Sequence, residues 1–305
     1  MTDTTTNVSA DANAPIKREP RFSWLWQLLR DPLGCFGLIL VILVVFSAVG
    51  ADLLSPYDYK ALDIPAKFSP PTWEHLLGTD NLGRDTFSRI LHGGRIALYV
   101  ALVSVGVSLF LGLVLGMLAG YGPRWLDNLL MWVFDAVRAF PVIMFALAVI
   151  TVVRASPDFP LSDLETIILV VVVVTTPGYA RIARASTMST KGTEFIMAER
   201  SLGAGLKRIM FSHLVPNIVQ PLLILCSMDI PVVITIEAGL SFLGLGVKPP
   251  TPSWGSILND GYGFIRNTPW IVIAGGIPLI ITTLGFTFLG EALRDVLDPK
   301  MKKDR

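Results

Sequence analysis

The segment nearest to a nucleotide site is Gly78-Thr-Asp-Asn-Leu-Gly83-Arg84-Asp85. Paired glycines at this spacing can bring backbone N–H groups against phosphate, but a phosphate-binding loop then needs Lys followed by Ser or Thr. Arg84 and Asp85 stand there instead, and no strand precedes them. The segment is expected to be a Gly-bounded polar helix at an outer interface, without the groups that reach a terminal phosphate or Mg²⁺. The three histidines, His75, His92 and His213, are scattered, and no His-Glu-x-x-His, paired-Cys or Gly-x-Ser-x-Gly spacing occurs. Cys35 and Cys226 both fall in apolar runs, which argues against a disulfide framework or a zinc site. The remaining candidates are ionisable residues inside apolar stretches: Asp135, Arg138, Asp229 and Glu237. Charge in lipid is costly, so such residues need a reason to be there.

The elements that carry these residues follow from composition. Of 305 residues, 52% are hydrophobic and only 16% charged, with net charge +1 and mean hydropathy +0.60. A soluble chain would carry about a quarter charged residues, and the near-zero net charge gives no basic field for nucleic acid. Six apolar runs, near 32–51, 96–120, 126–153, 164–179, 215–246 and 270–290, approach or exceed the roughly 20 residues that cross a bilayer. Val170 to Val174 is strand-like by propensity, but an open strand in lipid leaves its backbone groups unsatisfied, and the runs are not short and alternating as in a barrel. The expectation is an all-α membrane protein with six transmembrane helices.

Around these spans lie a polar tail, 1–31, lacking signal-peptide order, and a polar stretch, 52–95, with Pro56, Pro65, Pro70 and Pro71. A charged segment, 181–213, follows the fourth span, and a basic tail, 292–305, ends the chain. With six spans both termini share a side. Lys and Arg favour that side by roughly two to one, which places the termini and the 181–213 loop in the cytoplasm. Asp135 and Arg138 are three apart on one helix face and are expected to pair with each other.

The 181–213 loop is amphipathic. Phe195, Ile196, Leu202, Leu206, Ile209 and Met210 supply apolar faces, and Glu194, Glu199, Arg200, Lys207 and Arg208 polar ones. Its apolar stripe must be covered by the bilayer surface or by a groove on a partner. Amphipathicity alone favours the bilayer.

This loop resembles the EAA loop of permease subunits in ABC importers, whose pattern is Glu-Ala-Ala, three residues, Gly, nine residues, Ile-x-Leu-Pro. Met197-Ala198-Glu199 occupies the first slot, Gly203 the glycine, and His213-Leu214-Val215-Pro216 the last element. Met197 replaces the acidic residue, with Glu199 two positions later. Three further segments, Leu77 to Arg89, Leu240 to Gly255 and Gly290 to Lys300, narrow the resemblance to the peptide/nickel branch and its OppC/DppC-like subunit.

The resemblance implies a type I ABC importer permease fold in a bacterial inner membrane. It implies a first helix and external segment over 32–95, a five-helix core over 96–291 and a coupling loop over 181–216. It also implies a second, OppB/DppB-like permease, two ATPase subunits that bind ATP and Mg²⁺, and an external solute-binding protein, with no cofactor in this chain. Ala198, Glu199, Gly203, Ala204, Leu206 and Pro216 then belong to the contact with the ATPase. Asp229 and Glu237, about 80° apart on a helix, with Met228 beside them, either line or gate the path or make a polar contact with the second permease. Pro231 and Gly239 stand where they can bend that helix. An ion-coupled secondary transporter is the rival class, but it usually shows two related halves, and no internal repeat is visible.

Overall fold

The computed structural model describes residues 23–156 and 161–297. Most of the two tails expected at 1–31 and 292–305 lies outside the described residues. Among those described, regular structure is helical apart from one isolated bridge between Thr79 and Asp85. The helices are α1 (Ser23–Arg30), α2 (Pro32–Val49), α3 (Ala51–Leu54), α4 (Thr86–Tyr121), α5 (Arg124–Arg138), α6 (Val142–Ala155), α7 (Asp163–Lys191), α8 (Glu194–Ser201), α9 (Leu206–Arg208), α10 (Val215–Phe242), α11 (Trp254–Tyr262) and α12 (Pro269–Leu297). A π-helical turn, Ile209–Leu214, joins α9 to α10. Five helical stretches are long and apolar enough to cross a membrane, and the bent pair α5–α6 makes a sixth if it counts as one span.

Local chemistry sets the ends of these helices. Asp31 caps α2 by accepting from the Gly34 N–H at 2.8 Å, with Pro32 in the first turn. Ser162 and Glu165 form a reciprocal capping box at the start of α7. Val170 to Val174 lies inside α7, so lipid-compatible hydrogen bonding overrides strand propensity.

Three spans depart from their expected limits. α4 begins ten residues before the expected 96, because the charges that hid its first turns are all paired. Arg89 reaches Asp80 and Asp260, and Arg95 bonds Asp52 and the carbonyls of Ala48 and Val49. The expected third span, 126–153, is two helices meeting at 92°. Pro141 lacks an N–H and disfavours helix in the residue before it, which breaks the run at Phe140. α7 runs on past the expected 179 to Lys191 and carries Arg181 and Arg184 on its last turns. Those arginines correct the expected Asp135–Arg138 pair. Asp135 bonds Arg181 and Asp127 bonds Arg184, so the acids of α5 face α7 and Arg138 is exposed.

The spine of the bundle is α4 against α7. Gly112, Gly116 and Gly120 recur every four residues on α4, and a Cβ on Gly116 would sit 2.4 Å from the Ala180 carbonyl oxygen. Small residues at this spacing let two membrane helices touch backbone to backbone, where dispersion replaces the missing hydrophobic drive. Gly116→Val should therefore force the helices apart and cost about 1–3 kcal/mol, the usual price of overpacking. A lowered thermal midpoint of the detergent-purified protein is the expected result; an unchanged one would show that the spine is slack.

At the end of the bundle opposite α8, residues 55–85 and α11 are locked together. Asp80, 1% exposed, accepts from the N–H groups of Leu82 (2.8 Å) and Arg84 (3.0 Å) and pairs with the side chains of Arg84 and Arg89. The same two guanidiniums reach Asp260 of α11 at 3.5 and 3.0 Å. Gly78 and Gly83 take positive φ, and a Cβ on Gly83 would strike the Asp63 carbonyl. The polar helix expected over this block is thus a tight turn wrapped around a carboxylate, and helix starts only at Thr86 under the Asp85 cap. Trp254 of α11 fits against Gly93 and Gly94 and donates to the Ile90 carbonyl at 2.9 Å.

Candidate functional site

Two places assemble the residues singled out by the sequence. The first is the connection between α7 and α10. α8 ends in a Schellman motif, in which the Gly203 N–H donates to the Arg200 carbonyl and the Ala204 N–H to the Glu199 carbonyl, both at 3.0 Å. Gly203 sits at φ +81°, and the space where its Cβ would project is open. Glycine is therefore required here by backbone conformation; nothing among the described residues crowds it.

The apolar residues of this segment divide into two sets. Ile196, Ile209 and Leu214 are buried and hold α8 against the end of α7 and the π-helical turn that leads into α10. Phe195, Met197, Leu202, Leu206 and Phe211 are exposed, Leu202 at 85% and Phe211 at 72%. Of the expected coupling residues, Ala198, Gly203, Leu206 and Pro216 are exposed, while Glu199 and Ala204 are half-buried.

Glu199 turns back into the chain. Its carboxylate lies 3.6 Å from Arg208 and 3.5 Å from His213, so it braces α8 to the helix beyond the turn. Arg200 donates to the Tyr121 hydroxyl at 2.9 Å and stacks over its ring, and Lys191 bonds the Gly120 carbonyl. The segment is thus fixed to α4 as well. Tyr121 and Phe211 escaped the sequence reading, Tyr121 because Tyr121-Gly122-Pro123 signals only a turn. Phe211 was missed because it follows the recognisable apolar face.

The second place is the middle of α10. Pro221 and Pro231 interrupt its hydrogen-bond ladder. Met228 is exposed and Asp229 half-buried beside Tyr179 of α7. Glu237 is elsewhere: it is 0% exposed, its Oε1 accepts from the Ser241 hydroxyl at 2.7 Å, and its Oε2 makes no well-formed hydrogen bond among the described residues. Eight residues apart on this helix, the two acids have different surroundings, one at the edge of an open face and one enclosed within the chain.

The histidines each face one acid: His75 lies 3.0 Å from Asp85, His92 3.1 Å from Asp52, and His213 near Glu199. Bonds from Arg95 and then His92 hold the Asp52 carboxyl below its ordinary value. Among the described residues no group of three His, Cys, Asp or Glu side chains is arranged to hold a metal ion. Cys35 and Cys226 are free thiols.

Comparison with known proteins agrees with this architecture. Residues 112–303 match the family described as binding-protein-dependent transport system inner membrane component. Residues 23–71 match the N-terminal TM domain of oligopeptide transport permease C. The dipeptide transport system permease protein DppC of Alkalihalophilus pseudofirmus is 36% identical over 276 residues, spanning 90% of this chain and 88% of that one. The glutathione transport system permease protein GsiD of Pectobacterium atrosepticum is 36% identical over 297 residues, spanning 95% and 96%. The solved inward-facing MetNI methionine ABC transporter shares the fold over 68% of this chain and 95% of its own, with a TM-score of 0.56 at 20% identity. Such components work with a partner permease, ATPases and a solute-binding protein. The chain belongs to the family of binding-protein-dependent transport system inner membrane components, and is an inner-membrane permease subunit of an ABC importer whose ATPase resides in separate chains.

Proposed function

We propose that this subunit forms half of the translocation pathway of a peptide importer, paired with a second, OppB/DppB-like permease. Two ATPase subunits that bind ATP and Mg²⁺ drive it, and an external solute-binding protein supplies it. Relatives named for dipeptide, di/tripeptide and glutathione transport support a peptide-like cargo. The observation that carries the reading is the two-sided α7–α10 connection, with Ile196 and Ile209 buried beneath it and Leu202, Leu206 and Phe211 exposed above. The ATPase covers that exposed crest, which puts the α8 end of the bundle, with both termini, in the cytoplasm.

Motion of the ATPase pair on binding ATP passes to α7 and α10 together, because α8 joins the two and Glu199 and Arg200 stiffen the joint. Pro177 and Pro231 give those helices places to bend, and the path then opens outward to receive cargo. The chain divides functionally into an N-terminal region over 32–95 and a permease core over 96–291. Asp229 and Met228 belong to the path. Glu237 is enclosed within the chain and bonds Ser241 of its own helix.

The test is purification with the neighbouring subunits and assay in proteoliposomes. Vanadate-sensitive ATP hydrolysis stimulated by the loaded binding protein, together with ATP-dependent peptide uptake, is the expected result. Uptake driven by a proton or sodium gradient without ATPase subunits would overturn the reading. Mass spectrometry of the ligand carried by the binding protein identifies the cargo.

A further inference from the structure

The half-buried carboxylate at the middle of α10 has no cation to answer it. Its surroundings consist of burial and the Tyr179 hydroxyl, and no described Lys or Arg lies close enough to pair with it. An acid at mid-depth in a membrane helix ordinarily pairs with a base or faces a hydrated path. The exposed positions of α10 point to the second arrangement. Gln220, Leu223, Met228, Val232 and Thr235 are open at three- to five-residue steps, and Asp229 sits at the margin of this stripe. A carboxylate at the margin of such a face does not suit lipid alone.

Tyr179 supplies a second, independent sign. It is 0% exposed, its backbone and Cβ pack where Gly112 of α4 leaves room, and its hydroxyl has no well-formed hydrogen bond among the described residues although it faces Asp229 and Cys226. A buried hydroxyl left unpartnered costs stability, and this one is aimed at the only acid in reach. The hydroxyl can donate to the carboxylate or accept from a cation beside it.

We propose that Asp229 and Tyr179 form a subsite that takes a positively charged amino group of the cargo, such as the α-ammonium of a peptide, midway through the membrane. The carboxylate supplies the counter-charge, and Tyr179, enclosed behind it, positions that carboxylate. Met228 and Val232 offer an apolar wall to the rest of the molecule. The site is half-open and holds a single charge, so it stabilises a passing cation without trapping it. This proposal rests on the peptide-import reading above.

The experiment uses the whole assembly with its binding protein in proteoliposomes and compares uptake of tri-alanine with that of N-acetyl-tri-alanine. The same amount of co-purified complex is loaded for each variant. Asp229→Asn is expected to lower the tri-alanine to N-acetyl-tri-alanine uptake ratio at least tenfold, and Tyr179→Phe about threefold. Asp229→Glu is expected to restore most of the ratio. An unchanged ratio in Asp229→Asn overturns the subsite, whether both cargoes pass at wild-type rate or both fall together as from a structural defect. Failure of Asp229→Glu to recover also overturns it. A wild-type assembly that carries neither peptide refutes the underlying cargo reading, so the two failures are distinct.

Discussion

Replacing Asp80 with alanine should cost this protein more stability than any other single change at the end remote from α8. The side chain serves two backbone N–H groups and two guanidiniums at once, and Arg84 and Arg89 are themselves 5% and 2% exposed. Breaking a buried pair by removing one partner leaves an uncompensated charge and costs about 3–5 kcal/mol. Asp260 stands 3.0 to 3.5 Å from the same arginines and is 27% exposed, so it offsets only part of that loss. Folded membrane and soluble domains alike have little margin, on the order of 5–15 kcal/mol. The expected outcome is a sharp drop in the yield of assembled complex and a thermal midpoint well below wild type. Asp80→Asn, which keeps an acceptor for the turn but gives up the charge, should fall between the two. A midpoint unchanged in Asp80→Ala would show that the arginines are satisfied by water.

The second large effect is expected at Gly203, where two explanations for glycine make different predictions. The φ of +81° penalises a branched side chain, at roughly 1–2 kcal/mol for an L-residue in the left-handed region. Asn tolerates that region far better than other residues. Nothing among the described residues lies near the Cβ position, so Gly203→Asn should leave the isolated subunit folded. If α8 and its turn seat in a cleft of the ATPase, Gly203→Asn and Gly203→Asp will nevertheless obstruct it. Uptake should then fall at least tenfold while ATP hydrolysis persists. Wild-type coupling in Gly203→Asn, with loss only in Gly203→Val, would assign the glycine to backbone geometry alone.

Much of this was legible in the residues because lipid leaves a chain few options. Apolar runs marked α2, α4, α7, α10 and α12, and the need to satisfy the backbone made them helices. What periodicity could not show was where charge continues a helix instead of ending it. Arg89, His92 and Arg95 read as loop because their partners, Asp80, Asp260 and Asp52, are distant in sequence or lie on another element. Arg181 and Arg184 were hidden for the same reason, since the acids that pair with them belong to α5. The break at Pro141 was visible as a proline within an apolar run and was passed over.

At the candidate sites, spacing found Glu199 and Gly203 but not what they do for the chain. One is an internal brace and the other a left-handed helix stop. Asp229 and Glu237, about 80° apart on a helical wheel, were assigned one joint role, yet the enclosure of Glu237 beside Ser241 separates them. Helical angle says which face a residue shares, not how that face is covered.

The clasp around Asp80 also sets an order of events during synthesis. Polypeptides emerge from their N-terminus, and Asp80 leaves the ribosome with Arg84 and Arg89 close behind it. The three can neutralise one another as soon as α4 enters the bilayer. Asp260 arrives some 170 residues later, after α10 has been made. The early pairing shields the arginines through that interval, and the late one draws α11 onto α4 before α12 completes the chain. A nascent subunit that lacked Asp80 would have to hold two bare cations at the membrane edge for the whole of that time.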